Sequence, residues 1–194
     1  SRIKYFNWDF TTFKKTKLLF LKKADIIINC VGKTDNNPHN LKNINIIFVR
    51  KLLKYINFYQ SNIRLIHLSS VAVYGGNKNY LGQHKLLSEN GAIKTNDLYS
   101  KSKFKGDLLI QNTIKKNLNK NFSYTILRIS NVFGEKKKTN LLKFVMFSIK
   151  FGFWFRSHND IMFNFVNVRD VAQSVMLIIS KLKISKNKTY IISD

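Results

Sequence analysis

The segment Asp25-Ile26-Ile27-Ile28-Asn29-Cys30-Val31-Gly32 decides the fold. It is a short apolar run, rich in β-branched residues, that closes on the first glycine of the chain. A continuous rather than alternating run predicts a strand buried on both faces, as in parallel sheets. Beyond it the period changes. Polar Asp35, Asn36 and Asn37 and then Pro38 are followed by Leu41, Ile44, Phe48, Leu52, Tyr55 and Ile56 at steps of three and four. That spacing gathers them on one face of a helix. A second buried strand, Ile63-Arg64-Leu65-Ile66-His67-Leu68, closes on Ser69-Ser70.

The alternation continues to the end of the chain. A loop rich in Gly and Asn runs from Gly75 to about Asp97, and a helix is predicted from near Leu98 to about Leu118. A strand at Tyr124–Ile129, a helix at Leu141–Lys150 and a helical pattern through Val171, Ala172, Val175, Met176, Ile179 and Leu182 follow. Thr189-Tyr190-Ile191-Ile192-Ser193 resembles a last strand. Strands alternating with helices predict the α/β class, a doubly wound parallel sheet covered on both faces. Ligands of such sheets sit beyond the carboxyl ends of the strands, so Gly32, Ser69-Ser70 and the segment after Ile129 share the ligand edge. Of the first 24 residues, Trp8-Asp9-Phe10 is read as the end of an earlier strand. Phe13, Leu18, Leu19 and Leu21 are read as a helix before Asp25.

Composition bounds the function. The chain has 194 residues, the length of one domain, and 44% of them are hydrophobic, which is ample for a core and excludes wholesale disorder. Its single cysteine, Cys30, excludes an internal disulfide framework and a thiolate-rich zinc site. The histidines His39, His67, His84 and His158 form no metal-ligand pair at helical spacing, so no metal is expected. No apolar run approaches the roughly 18 residues of a membrane span, and no signal-peptide pattern opens the chain. A cytoplasmic location is therefore expected. The chain starts at Ser1 without methionine and stops at Asp194 after a strand-like run, and it is read as an internal piece of a longer protein. With 34 Lys+Arg against 10 Asp+Glu the net charge is +24. Such a charge attracts phosphates, yet the lysines are spread rather than gathered on one face. The runs Lys136-Lys137-Lys138 and Lys22-Lys23 are short, and no specific nucleic-acid partner is expected.

Tyr99 and Lys103 stand four apart near the start of a predicted helix and share a face. An ammonium beside a phenol favours the phenolate and lowers the tyrosine pKa from about 10, which suits proton exchange with a hydroxyl or carbonyl. In a lysine-rich chain this spacing also arises between two solvated residues, so its weight comes from context. Upstream lies Leu68-Ser69-Ser70-Val71-Ala72-Val73-Tyr74-Gly75; downstream lie Leu127-Arg128-Ile129-Ser130-Asn131-Val132-Phe133-Gly134 and Phe165-Val166-Asn167-Val168-Arg169-Asp170-Val171-Ala172.

In these four motifs, in this order, the chain resembles the extended short-chain dehydrogenase/reductases, the NAD-dependent epimerase/dehydratase group that acts on nucleotide sugars. Asn45 followed by Leu52-Leu53 also resembles the family's helix between two strands. The resemblance runs from about Asp25 to the end. It implies a Rossmann-like domain over 1–194, truncated, with its first strands missing and part of the substrate-binding region present. It implies a catalytic group of Ser70, Tyr99 and Lys103, in which Ser70 bonds the reacting sugar oxygen and Tyr99 is the acid/base. Lys103 would hold the nicotinamide ribose and depress the Tyr99 pKa. Val31, Gly32, Ser69 and Ile129 would lie against NAD or NADP, and Asn131 near the sugar. A homodimer through two long helices is implied by the same analogy.

Two departures narrow this reading. Dehydratases of the group carry acidic residues after the strand-end hydroxyl, where this chain has Val71 and Ala72. Epimerisation or carbonyl reduction is therefore favoured over water loss. The glycine-rich phosphate turn is absent, because nothing before Asp25 resembles it. The alternatives are a Rossmann-type binding module without catalysis, and a basic protein of nucleic-acid or membrane surfaces. Simpler structural roles are assigned to Cys30 as an inert core thiol, His67 as a satisfied strand histidine and Asp170 as a helix cap. Arg128 is read as a partner for a carboxylate or a strand support. The aromatic stretch Phe144–Phe155 is read as core or lid rather than a membrane-interface helix.

Overall fold

The computed structural model describes residues 24–58, 62–75, 87–116, 120–134, 140–152 and 164–194. The expected elements at Trp8–Phe10 and Phe13–Leu21, and the lysine runs at 22–23 and 136–138, lie outside these residues. In chain order the elements begin with β1 (Ile26–Asn29), α1 (Pro38–Leu41), a π-helical turn (Lys42–Ile47) and α2 (Phe48–Phe58). They continue with β2 (Arg64–Ser70), a 3-10 turn (Val71–Tyr74), α3 (Leu98–Lys115), β3 (Ser123–Ile129), β4 (Asn131–Phe133) and α4 (Asn140–Phe151). Finally come β5 (Phe165–Asn167), α5 (Val168–Ser180) and β6 (Lys188–Ile192).

Four strands form one parallel sheet in the spatial order β1-β2-β3-β6. β4 and β5 pair as a separate parallel ribbon, which the sequence reading does not anticipate. Parallel neighbours need crossovers, and the helices supply them on both faces, as the doubly wound class requires. Residues alternate between the faces because the strand period is two. Leu65, Tyr124 and Ile126 turn to one side, where Phe48, Val49, Leu52, Leu53 and Ile56 of α2 and Ile110 of α3 cover them. Ile66, Leu127 and Ile129 turn to the other, against Val171, Val175 and Ile178 of α5. The apolar positions of α2 at steps of three and four are the buried ones, as their spacing predicts.

Helix starts follow ordinary capping chemistry. Asn37 Oδ1 accepts from the His39 and Asn40 amides, with Pro38 in the first turn, where its missing N–H costs nothing. Asp97 and Ser100 form a reciprocal capping box at α3. At α5 the cap is Asn167, whose Oδ1 accepts from the Arg169 amide at 2.9 Å. Asp170, expected to cap, instead sits in the first turn. There its carboxylate meets the positive end of the helix dipole.

β1 departs from expectation on one face. Its residues toward α2 are covered, with Asn29 buried, but Ile28 is 44% exposed and Cys30 is exposed as well. Among the described strands β1 is the edge, paired with β2 alone, and α5 packs over its neighbours. The thiol of Cys30 is therefore not a core group, although partial burial still pushes its pKa up. Helix α4 likewise presents Met146, Phe147, Ile149 and Phe151 as exposed side chains, so this part of the aromatic stretch is not core. Residues 153–155 of that stretch lie outside the described ones.

The approach of α3 to the π-helical turn depends on Gly106. A Cβ there would lie 2.9 Å from the Asn45 carbonyl oxygen, a backbone atom that cannot swing away. Gly106→Ala is expected to destabilise the chain by about 1–3 kcal/mol through overpacking, read as a lower urea midpoint with an unchanged slope.

Candidate active site

Three chain segments meet at the carboxyl edge of the sheet. β1 runs into Val31-Gly32-Lys33, β2 ends in Ser69-Ser70, and the first turns of α3 carry Tyr99 and Lys103. Strand β3 ends beside them, because Ser70 and Ile129 are register partners.

Tyr99 is partly buried and lines an open cleft of about 560 Å³ with Thr34, Asn36, Asp97 and Leu98. Burial pushes its phenol up from the ordinary value; a side-chain hydrogen bond with Ser70 opposes the rise, and the Asp97 and Asp107 carboxylates add to it. The hydroxyl oxygen of Ser70 also accepts from the Ala72 amide at 3.2 Å, which orients it at the start of the 3-10 turn. Ser70 is thus the group that lowers the Tyr99 pKa here, and the depression expected from Lys103 is absent.

Lys103 explains that difference. Its side chain is buried, and Nζ donates to the Leu68 carbonyl at 2.7 Å. Burial lowers the ammonium pKa, and Asp107, four residues further along α3, raises it. A hydrogen bond to the strand and an adjacent anion both reduce the field that Lys103 exerts on Tyr99. On its other side the ammonium faces Gly32, where a Cβ would come within 3.6 Å of Nζ and 3.8 Å of Asn45 Oδ1.

Asn45 is a site residue to which sequence reasoning gave no role. Its amide nitrogen donates to Lys33 O at 3.0 Å and Ser102 Oγ at 2.8 Å, and its Oδ1 accepts from Lys33 N at 2.9 Å. One buried side chain thereby ties the loop after β1 to α3. Its sequence signal is a polar residue buried within an otherwise apolar helical stretch. The π-helical turn that presents it has no simple sequence signature, although such turns recur at functional sites.

Beneath Lys103 lies a second cluster. Asp107 Oδ2 accepts from Arg128 Nε at 3.3 Å, and Arg128 Nη1 donates to Tyr74 OH at 2.6 Å with the guanidinium over the Tyr74 ring. Tyr74 OH in turn donates to Glu89 O. Arg128 therefore has the carboxylate partner read for it. His67 is a satisfied strand histidine, as expected. Asn29 Oδ1 accepts from the Val31 amide, so its NH₂ faces His67 Nδ1 at 2.9 Å. That leaves Nε2–H directed at Asp107 Oδ1, 3.9 Å away. Burial and the Lys103 charge hold the His67 pKa well below 6.5, so the ring is neutral.

The remaining candidates divide. Ser69 is buried next to Asp107 and helps hold that carboxyl down, although its Oγ makes no close hydrogen bond. Gly32 is drawn into the group through Lys103, and Val31 packs its side chain on the α2-side core. Ile129 belongs to the α5-side core beside Ser70. Asn131 is exposed and donates to Asn164 O at 3.1 Å, so it stays apart from Tyr99 and Ser70. Among the described residues no cluster of three or more His, Cys, Asp or Glu side chains is arranged to hold a metal ion. Among them, too, no helix is long and apolar enough to cross a membrane.

Comparison with known proteins agrees with this geometry. No curated protein sequence matches the chain. Among solved structures it is similar to UDP-glucuronic acid 4-epimerase from Bacillus cereus in complex with NAD, at 17% identity and a TM-score of 0.75 over 96% of this chain and 58% of that one. It is similar to a dTDP-glucose 4,6-dehydratase from Streptomyces venezuelae, at 17% identity and a TM-score of 0.71 over 90% of this chain and 53% of that one. It is also similar to RMD from Pseudomonas aeruginosa complexed with NADPH, at 18% identity and a TM-score of 0.72 over 97% and 66%. The chain thus spans between half and two thirds of the length of these structures. The sequence model of the NAD dependent epimerase/dehydratase family matches residues 3–193, and the chain belongs to that family.

Proposed function

We propose that the chain carries the reaction centre of a nucleotide-sugar epimerase or reductase, with Ser70, Tyr99 and Lys103 as its catalytic group. The observation that carries this reading is the convergence at one sheet edge of the Tyr99 phenol, hydrogen-bonded to Ser70, and a buried Lys103 ammonium facing a glycine. The similar structures named above were determined with NAD or NADPH, and one of them is a UDP-sugar epimerase.

The residues present fit the nicotinamide end of such a cofactor. Gly32 leaves the space beside Lys103 Nζ that a side chain would fill. Val31, Gly32, Ser69, Lys103 and Ile129 would hold the nicotinamide and its ribose. No glycine precedes Gly32, so the chain has no glycine-rich turn for the pyrophosphate. When bound, the nicotinamide supplies hydride exchange with a sugar carbon. The protein's part is positional and protonic. Ser70 bonds the sugar oxygen at the reacting carbon, and Tyr99 takes or returns that oxygen's proton at its phenolic oxygen. Lys103 keeps a positive charge next to the ribose and the phenol. Asn45 holds the Gly32 loop in place beneath them. Val71 and Ala72 offer no acid or base for removing a proton from a neighbouring carbon, which favours epimerisation or reduction over dehydration.

Titration of the chain with NADH, followed by energy transfer from its two tryptophans to the nicotinamide, should saturate. Lys103→Ala should weaken binding about tenfold or more, the loss of one charge-assisted contact. Absence of saturable binding in a chain that melts cooperatively would overturn the cofactor assignment. In the chain joined to whatever completes its substrate site, Tyr99→Phe should lower turnover of a UDP- or dTDP-sugar by about 100-fold or more with the fold intact. Undiminished turnover would remove Tyr99 from the mechanism.

A further inference from the structure

The buried ionic groups under Tyr99 and Lys103 do not balance. Lys103 and Arg128 are two cations, 5% and 4% exposed, and Asp107 is one fully buried anion, the partner of both. The histidine between them is neutral, its orientation set by Asn29 and by the Val31 amide. The cluster therefore carries a net charge of about +1, and the phenol of Tyr99 stands above it on the same helix.

We propose that Asp107 is a positioning residue of this site: bonded to Arg128 and one helical turn below Lys103, it fixes the residual positive charge against which the Tyr99 phenolate forms. The proposal rests on the role given to Tyr99 above. Every group packed on Asp107 is consistent with it. From α3 come Lys103 and Tyr99, from β2 His67 and Ser69, and from β3 Arg128 and Tyr124. Asp97 acts on Tyr99 from the cap of the same helix. Asp107 Oδ2 is taken by Arg128, while buried Oδ1 makes no hydrogen bond and faces His67 Nε2. Burial raises the Asp107 pKa; Ser69, Arg128 and Lys103 all lower it, and these three favour the ionised form. Its charge in turn raises both the Tyr99 and the Lys103 pKa.

The arithmetic gives opposite signs for two substitutions. Asp107→Asn takes the cluster from about +1 to +2 and should lower the Tyr99 pKa. Arg128→Gln takes it to about zero and should raise that pKa, each by roughly half a unit or more. Asp107→Glu should restore the original value. The measurement is a pH titration of the Tyr99 ring carbon by NMR in ¹³C-tyrosine-labelled chain, its signal identified with Tyr99→Phe. A residue that merely supports the fold would shift both variants in the same direction or neither, and either result would overturn the proposal. If neither variant folds, the Asp107 carboxyl carbon of the unaltered chain decides. An ionised signal at pH 7 is expected, and a protonated one would overturn the proposal. The titration uses neither cofactor nor sugar. Failure of NADH to bind therefore counts against the proposed function alone, whereas unmoved titration curves count against this inference alone.

Discussion

A buried ammonium loses hydration worth several kcal/mol unless acceptors and an opposite charge replace the water. At Lys103 the Leu68 carbonyl and Asp107 supply both replacements. Much of the local architecture follows from that requirement. Helix α3 has to lie close to β2 for the ammonium to reach a strand carbonyl, and the absence of a side chain at Gly106 permits the approach. The same closeness brings Ser102 to Asn45, and Asn45 then holds the loop that carries Gly32. A lysine that stayed in solvent would need none of these contacts.

The two faces of the sheet divide the work. The face under α5 is apolar through Ile66, Leu127 and Ile129 and contributes packing. The face under α2 and α3 is apolar toward the amino ends of the strands and turns polar toward their carboxyl ends, at Asn29, His67, Ser69 and Arg128. Polar groups in such a position are tolerated when most of them are paired. Here their hydrogen bonds run from the Val31 amide through Asn29 to His67, and separately from Asp107 through Arg128 and Tyr74 to Glu89. The polar seam lies directly beneath the catalytic group, which ties the stability of the core to the geometry of the cleft.

How far the sequence discloses this depends on range. The strands β2 and β3 and the buried face of α2 were legible because period and burial act locally, within a turn or a few residues. Tyr99 and Lys103 were legible because four residues on a helix is itself a contact. The exposed face of β1 was not, since continuous apolarity does not tell an edge strand from an interior one. The reach of Asn45 to Ser102 spans 57 residues, and that of Arg128 to Asp107 spans 21, so neither leaves a periodic trace. Asn131 was misjudged because proximity along the chain to the strand end says nothing about which way β4 carries its side chain.

The π-helical turn at Lys42–Ile47 has a consequence for insertions and deletions. It is one residue longer than an α-helical turn over the same advance. Each residue of an α-helix adds about 100° of rotation, so removing one from this turn would rotate all of α2 relative to Asn45. Either the amide would still reach Lys33 and Ser102 or the apolar face would still meet the sheet, but both could not hold together. The wide turn thus acts as a phase adjuster between a polar clamp and an apolar stripe. Chain length inside this helix is consequently constrained as tightly as residue identity, in contrast to loops, where added length is readily absorbed.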